Sequence, residues 1–202
     1  MPYELSLITV RPATTPKALE ALEQWLAKTK SKLLACWFSE IGALNQILVI
    51  RSFQDEAAIA AERHAVALSE SAFGIGEFLV AASSDTFVQF PFLDPIQPGS
   101  IGPYFEVRSY VLKPDGMAAT VELWRRSVPG RATLSPVLAA LYSASGQHHR
   151  FVHIWPYRSL DDRHRIRAQA VEAGLWPPPG GPDHLISQQT DIYLPASFSP
   201  LR

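Results

Sequence analysis

The 202-residue chain has one cysteine, Cys36, and so cannot close a disulfide on itself. That excludes a secreted framework held by disulfides, and a reducing, cytoplasmic setting is the expectation. Charge is scarce as well: 18% of residues are Asp, Glu, Lys or Arg, and the formal net charge is -1. Such a balance excludes the broad positive field of a non-specific nucleic-acid binder or a polybasic membrane binder. No run approaches the roughly 20 apolar residues that span a bilayer. The opening Met1-Pro2-Tyr3-Glu4-Leu5 has neither the basic nor the long apolar stretch of a leader. Neither nucleic acid nor membrane is therefore expected as a partner. What the chain does have is a 47% hydrophobic content and five tryptophans, enough to bury a core and to exclude disorder along its whole length.

Several chemical signatures are also missing. Gly74-Ile75-Gly76 lacks the third glycine of a dinucleotide loop, and Ser143-Ala144-Ser145-Gly146 lacks the first glycine of a nucleophile elbow. Five of the six histidines lie in the second half. His149 and His153 share a strand face, but about 13 Å apart, at about 3.3 Å per residue, which is too far for one ion. No metal site and no cofactor is expected, and His148-His149 reads as an exposed hairpin tip. Cys36, in the apolar run Leu33 to Phe38, reads as a small buried hydrophobe rather than a nucleophile.

The organisation shows when the chain is compared with itself. The segment ending at Pro12 lies over the segment ending at Pro114, with Glu4 over Glu106; Trp25 lies over Trp124, and Ile47 to Phe53 over Phe151 to Tyr157. The offsets stay near half the length. Between the copies, Leu93 to Pro103 holds three prolines and two glycines and has no period. The expected division is a first half over 1–93, a linker over 94–103 and a second half over 104–202.

Each half reads alike. Strands are predicted over 3–10, 34–40, 46–53 and 86–92, then over 104–112, 138–143, 150–157 and 185–194. Helices fall between them: one capped by Thr15, one from Glu56 behind Asp55, one over 116–128, and one behind Ser159. The order βαββαβ, twice, is the ferredoxin-like arrangement, so the fold class is α+β. The third strands are apolar on both faces, so both faces need cover. Packing the two sheets of one chain together, with helices outside, meets that need.

Four segments resemble one family. Tyr104-Phe105-Glu106-Val107-Arg108-Ser109-Tyr110 is similar to the opening of the NIPSNAP family. Trp37 to Asn45, Val152 to Arg163 and the tail Leu194 to Leu201 resemble its other characteristic stretches. The resemblance covers almost the whole chain and implies the dimeric α/β-barrel superfamily. That superfamily includes cofactor-free oxygenases, haem enzymes and simple binders. Animal members of the family are mitochondrial and are linked to organelle-quality signalling. The first half departs from the pattern: Ile8, Val49 and Arg51 stand where the second half has Tyr110, His153 and Trp155.

The candidate site lies in the second half. Strand alternation puts Glu106, Arg108 and Tyr110 on one face, and His153, Trp155 and Tyr157 on one face of a neighbouring strand. These are expected to point inward, between the sheets, with Phe105, Val107, Val111, Val152 and Ile154 toward the helices. In one reading the group lines a pocket for an unidentified small molecule, as a binder or cofactor-independent oxygenase. Arg108 would then anchor an anionic group, His153 would move a proton, and Glu106, Tyr110 and Trp155 would complete the binding surface. In the other reading Glu106 pairs structurally with Arg108, His153 is a satisfied core residue, and the chain is a non-catalytic scaffold. A helix face bearing Arg163, Arg165 and Arg167 would then meet a partner. A homodimer through the helical exterior and the tail is left open.

Overall fold

The computed structural model describes residues 1–202. The elements run β1 (Tyr3–Val10), α1 (Thr15–Leu26), β2 (Lys32–Ile41), β3 (Gln46–Ser52), α2 (Glu56–Ala67), β4 (Leu79–Gln89), β5 (Tyr104–Leu112), α3 (Gly116–Ala132), β6 (Ala139–Ser143), β7 (Arg150–Tyr157), α4 (Leu160–Glu172) and β8 (Leu185–Pro195). The order βαββαβ occurs twice, as expected. The strands form one closed barrel in the order β1-β3-β2-β8-β5-β7-β6-β4, and every pairing is antiparallel. Closure depends on β2 with β8 and β4 with β6, so each sheet completes the other. No helix is long and apolar enough to cross a membrane.

The two junctions use the same device. Gly42, after β2, and Gly146, after β6, both take positive φ, and a Cβ at either would collide with the carboxylate of Asp191 or Asp85 respectively. Any side chain there would push a turn off the neighbouring strand. The tail is held internally: Ala196 N–H donates to the Cys36 carbonyl, Leu201 N–H to Leu34, and Trp37 Nε1–H to the Leu201 carbonyl at 2.9 Å. The tail therefore lines the barrel wall. Cys36 is buried, and burial pushes its thiol up, away from a reactive thiolate.

Local expectations hold at two helix starts and fail at α1, α3 and β4. The Asp55 carboxylate accepts from Ala58 N–H at 2.8 Å and the Ser159 hydroxyl from Asp162 N–H at 3.0 Å, so the two capping side chains act as predicted. Helix α1 begins one residue earlier than predicted, and its side chains provide no cap hydrogen bond. Helix α3 runs past Pro129 to Ala132, because its buried last-turn Arg131 is anchored by the Ser135 carbonyl at 3.1 Å. Packing there outweighs one lost backbone donor. Strand β4 starts seven residues before the prediction; its small, uncharged run Ala81 to Ser84 lacks the bulky alternation that marks a strand.

The barrel interior is filled by medium apolar side chains and a stacked pair, Trp37 and Phe105, with ring centres 4.1 Å apart. Phe105, Val107, Val152 and Ile154 belong to this interior cluster. The expected orientation is therefore inverted: Glu106, Arg108, Tyr110, His153 and Trp155 face the helices, not the space between the sheets. An eight-stranded barrel is just wide enough for side chains to fill. Compact aliphatics suit it, whereas the long polar and aromatic alternates meet complementary residues on α3 and α4.

Candidate functional site

Antiparallel register places Arg108 opposite His153, Glu106 opposite Trp155 and Tyr110 opposite Phe151. Side chains on this face stand beneath α3, which contributes Thr120, Trp124 and Arg131, and α4, which contributes Arg167 and Ala170. The Pro-rich segment after α4 brings Trp176 edge-on to Trp124, ring centres 4.7 Å apart. Together they enclose a cavity of about 190 Å³. Arg108, Tyr110, His153 and Trp155 line it; Glu106 lies beneath, fully buried, and does not. Four of the five predicted residues thus share one cavity, in a different layer from the one expected.

His153 is buried within aromatic rings, with Tyr110 and Trp124 edge-on at 4.8 and 4.7 Å. Its Nδ1 accepts a hydrogen bond from Trp155 Nε1–H at 2.7 Å. An indole N–H only donates, so Nδ1 must carry the lone pair and Nε2 the proton of the neutral ring. Burial, reinforced by Arg108 and Arg167, holds the imidazole well below its ordinary pKa, so the neutral form prevails. Nε2 has no partner. His153 therefore offers one unanswered N–H and no free lone pair, which suits a donor and not the base envisaged from sequence.

Beneath the cavity, the Glu106 carboxylate receives Arg163 at 2.6 Å, with Arg167 and Arg108 at 3.6 and 3.7 Å from the same oxygen. Its other oxygen accepts from the Tyr157 hydroxyl at 3.4 Å, which in turn accepts from Arg131. Burial and the Glu106 charge push the Tyr157 phenol up to about 12, so it stays protonated and able to donate. The Arg131 guanidinium lies over the Trp155 ring, 4.5 Å from its centre. Three buried polar atoms of lining residues are without partners: His153 Nε2, Arg108 Nε and Thr120 Oγ1.

Sequence reading missed Thr120, Arg131, Arg167 and Trp176. Two of these carry a helical signal. Arg131 lies seven residues after Trp124, and Arg167 four after Arg163, on shared helix faces. Of the supposed partner-facing arginines, only Arg165 points away, pairing with Asp162 on the surface.

The NIPSNAP family model matches residues 3–73 and 105–200. A NipSnap homologue of Dictyostelium discoideum is 26% identical over 181 residues, covering 86% of this chain and 77% of its own. Human NipSnap homolog 2 is 28% identical over 134 residues, covering 62% of this chain. The aligned part is 45% of the human protein's length, so much of that relative has no counterpart here. The solved structure of an anthrone oxidase-like protein superposes with a TM-score of 0.68 at 12% identity, over 96% of this chain and 91% of its own; at that identity it speaks for the barrel fold alone. With the family model spanning both sets of strands, the chain belongs to the NIPSNAP family.

Proposed function

We propose that this protein binds a small organic molecule in the cavity between the second sheet half and α3/α4. The supporting observation is the cavity itself, lined by Arg108, Tyr110, His153 and Trp155 from the strands and by Trp124, Arg167 and Trp176 from the elements above them. An apolar lining with a few convergent polar groups is the ordinary make-up of such sites. Binding is favoured over proton transfer, because His153 has no lone pair free to take a proton. The interaction-scaffold reading is weaker, since Arg163 and Arg167 are turned toward Glu106 instead of outward.

Ligand-detected NMR with phenol, benzamide and benzoate tests the proposal, with Thr120→Leu as a variant that fills the cavity. Binding to the parent that Thr120→Leu abolishes is the expected result. Equal binding by parent and variant, or none by the parent, would overturn it.

A further inference from the structure

We infer that the molecule held here is an aromatic carboxylate, its anionic head on Arg108 and Arg167 and its ring against Trp124 and Trp176. This rests on the binding reading above and narrows it to one chemical class.

The charge around the cavity is not balanced from within. Glu106 is the one carboxylate paired with the arginines of this layer, and three guanidinium groups converge on its Oε1. Only Arg163 comes within hydrogen-bond distance, at 2.6 Å. The two that do not, Arg108 and Arg167, are the two that line the cavity, and Arg163 does not line it. Arg131, the third arginine of the lining, already donates to the Ser135 carbonyl and the Tyr157 hydroxyl. No Asp or Glu is among the lining residues. Two forked cations, Arg108 mostly buried and Arg167 half-buried, therefore line a cavity with no anion of its own, and their planar forks suit bidentate recognition of a carboxylate.

The wall agrees in polarity: the guanidinium groups of Arg108, Arg131 and Arg167 can only donate, and no carboxylate stands among the lining residues. A carboxylate brings acceptors alone; a neutral amide would bring two N–H donors into a wall that already has a surplus. Size sets the body of the molecule. An apolar cavity of about 150 Å³ holds benzene, so about 190 Å³ admits one ring with a carboxylate. Trp124 and Trp176, perpendicular to each other at 88°, give such a ring a face and an edge to pack on.

Isothermal titration with benzoate and its neutral isostere benzamide, on the parent, Arg108→Gln and Arg167→Gln, tests the inference. The parent should bind benzoate at least tenfold more tightly than benzamide. Each variant should lose tenfold or more for benzoate and less for benzamide, so that the preference for the anion narrows. Equal affinity of the parent for the two probes would overturn the carboxylate assignment and leave the binding site standing. Binding of neither probe would overturn both.

Discussion

The helix–sheet layers of the two halves are built on the same plan and finished differently. In the first, Ile8, Ile47 and Val49 stand where the second has Tyr110, Phe151 and His153, and they pack with Leu22, Leu26 and Phe73 into a closed apolar cluster. Its ionic part is matched: Arg51 pairs with Glu4 and Glu62, and Arg63 with Glu4 at 2.6 Å. The hollow beside these residues includes Glu4 itself. In the second, Arg108, Arg163 and Arg167 surround the single carboxylate of Glu106, Arg131 reaches it through Tyr157, and aromatic and polar side chains replace the aliphatic filling. Buried charge is costly unless paired. The first layer balances its charge internally, two arginines against two carboxylates, although Arg51 Nε is left without a partner, whereas the second has three arginines on one carboxylate.

The largest way to break this comparison is to remove each carboxylate. Glu106→Gln should destabilise the fold by about 3–5 kcal/mol, the usual loss on orphaning buried charge. Glu4→Gln should cost less, because Arg51 keeps Glu62 and Arg63 keeps the Thr86 hydroxyl at 3.0 Å. Equal midpoint shifts in urea for the two variants would show that the layers are not differently balanced. Next come the corresponding tryptophans. Trp124→Ala should cost about 3–5 kcal/mol as a buried aromatic truncation. The half-buried Trp25, edge-on to Phe73 at 5.4 Å, should cost about 1–2 kcal/mol.

A smaller effect separates the layers by pH. The folded-state pKa of His153 is depressed, so below about pH 6.5 the unfolded chain binds a proton that the folded chain refuses. Its contribution to stability is full above that pH and is lost as pH falls toward the depressed value. The slope is at most about 1.4 kcal/mol per pH unit. His153→Gln should flatten the profile between pH 5 and 6.5, about the unfolded-state value, relative to the parent. Val49→Ala, at the matching first-half position, should lower stability without changing the profile's shape. Parallel parent and His153→Gln curves would contradict the assignment of a neutral, buried imidazole.

The element order, repeated in both halves, and the two working caps at Asp55 and Ser159 were legible in the sequence, because period and capping chemistry are local signals. The sequence also grouped Arg108, Tyr110, His153 and Trp155 correctly, since alternation sets which residues share a face. Alternation cannot say which face turns inward when both are apolar; that follows from the closed barrel's limited bore, a property of all eight strands together. Arg167 read as part of an outward helix face because its partner, Glu106, lies on a strand distant in sequence, and Arg131 drew no reading because its partners, Ser135 and Tyr157, are uncharged. Thr120 carried no signal at all, as a lone threonine on a helix face marks nothing until the wall opposite is known.

The five tryptophans supply the most direct measurement. Trp124, Trp155 and Trp176 line the second layer's cavity, while Trp25 and Trp37 belong to the first layer and the barrel interior. Benzoate titrated into ¹⁵N-labelled protein can be followed at the indole Nε1–H resonances. The account predicts saturable shifts at Trp124, Trp155 and Trp176, with Trp25 and Trp37 unmoved. Shifts at Trp25 as large as at Trp124, or none at the three cavity indoles, would contradict it.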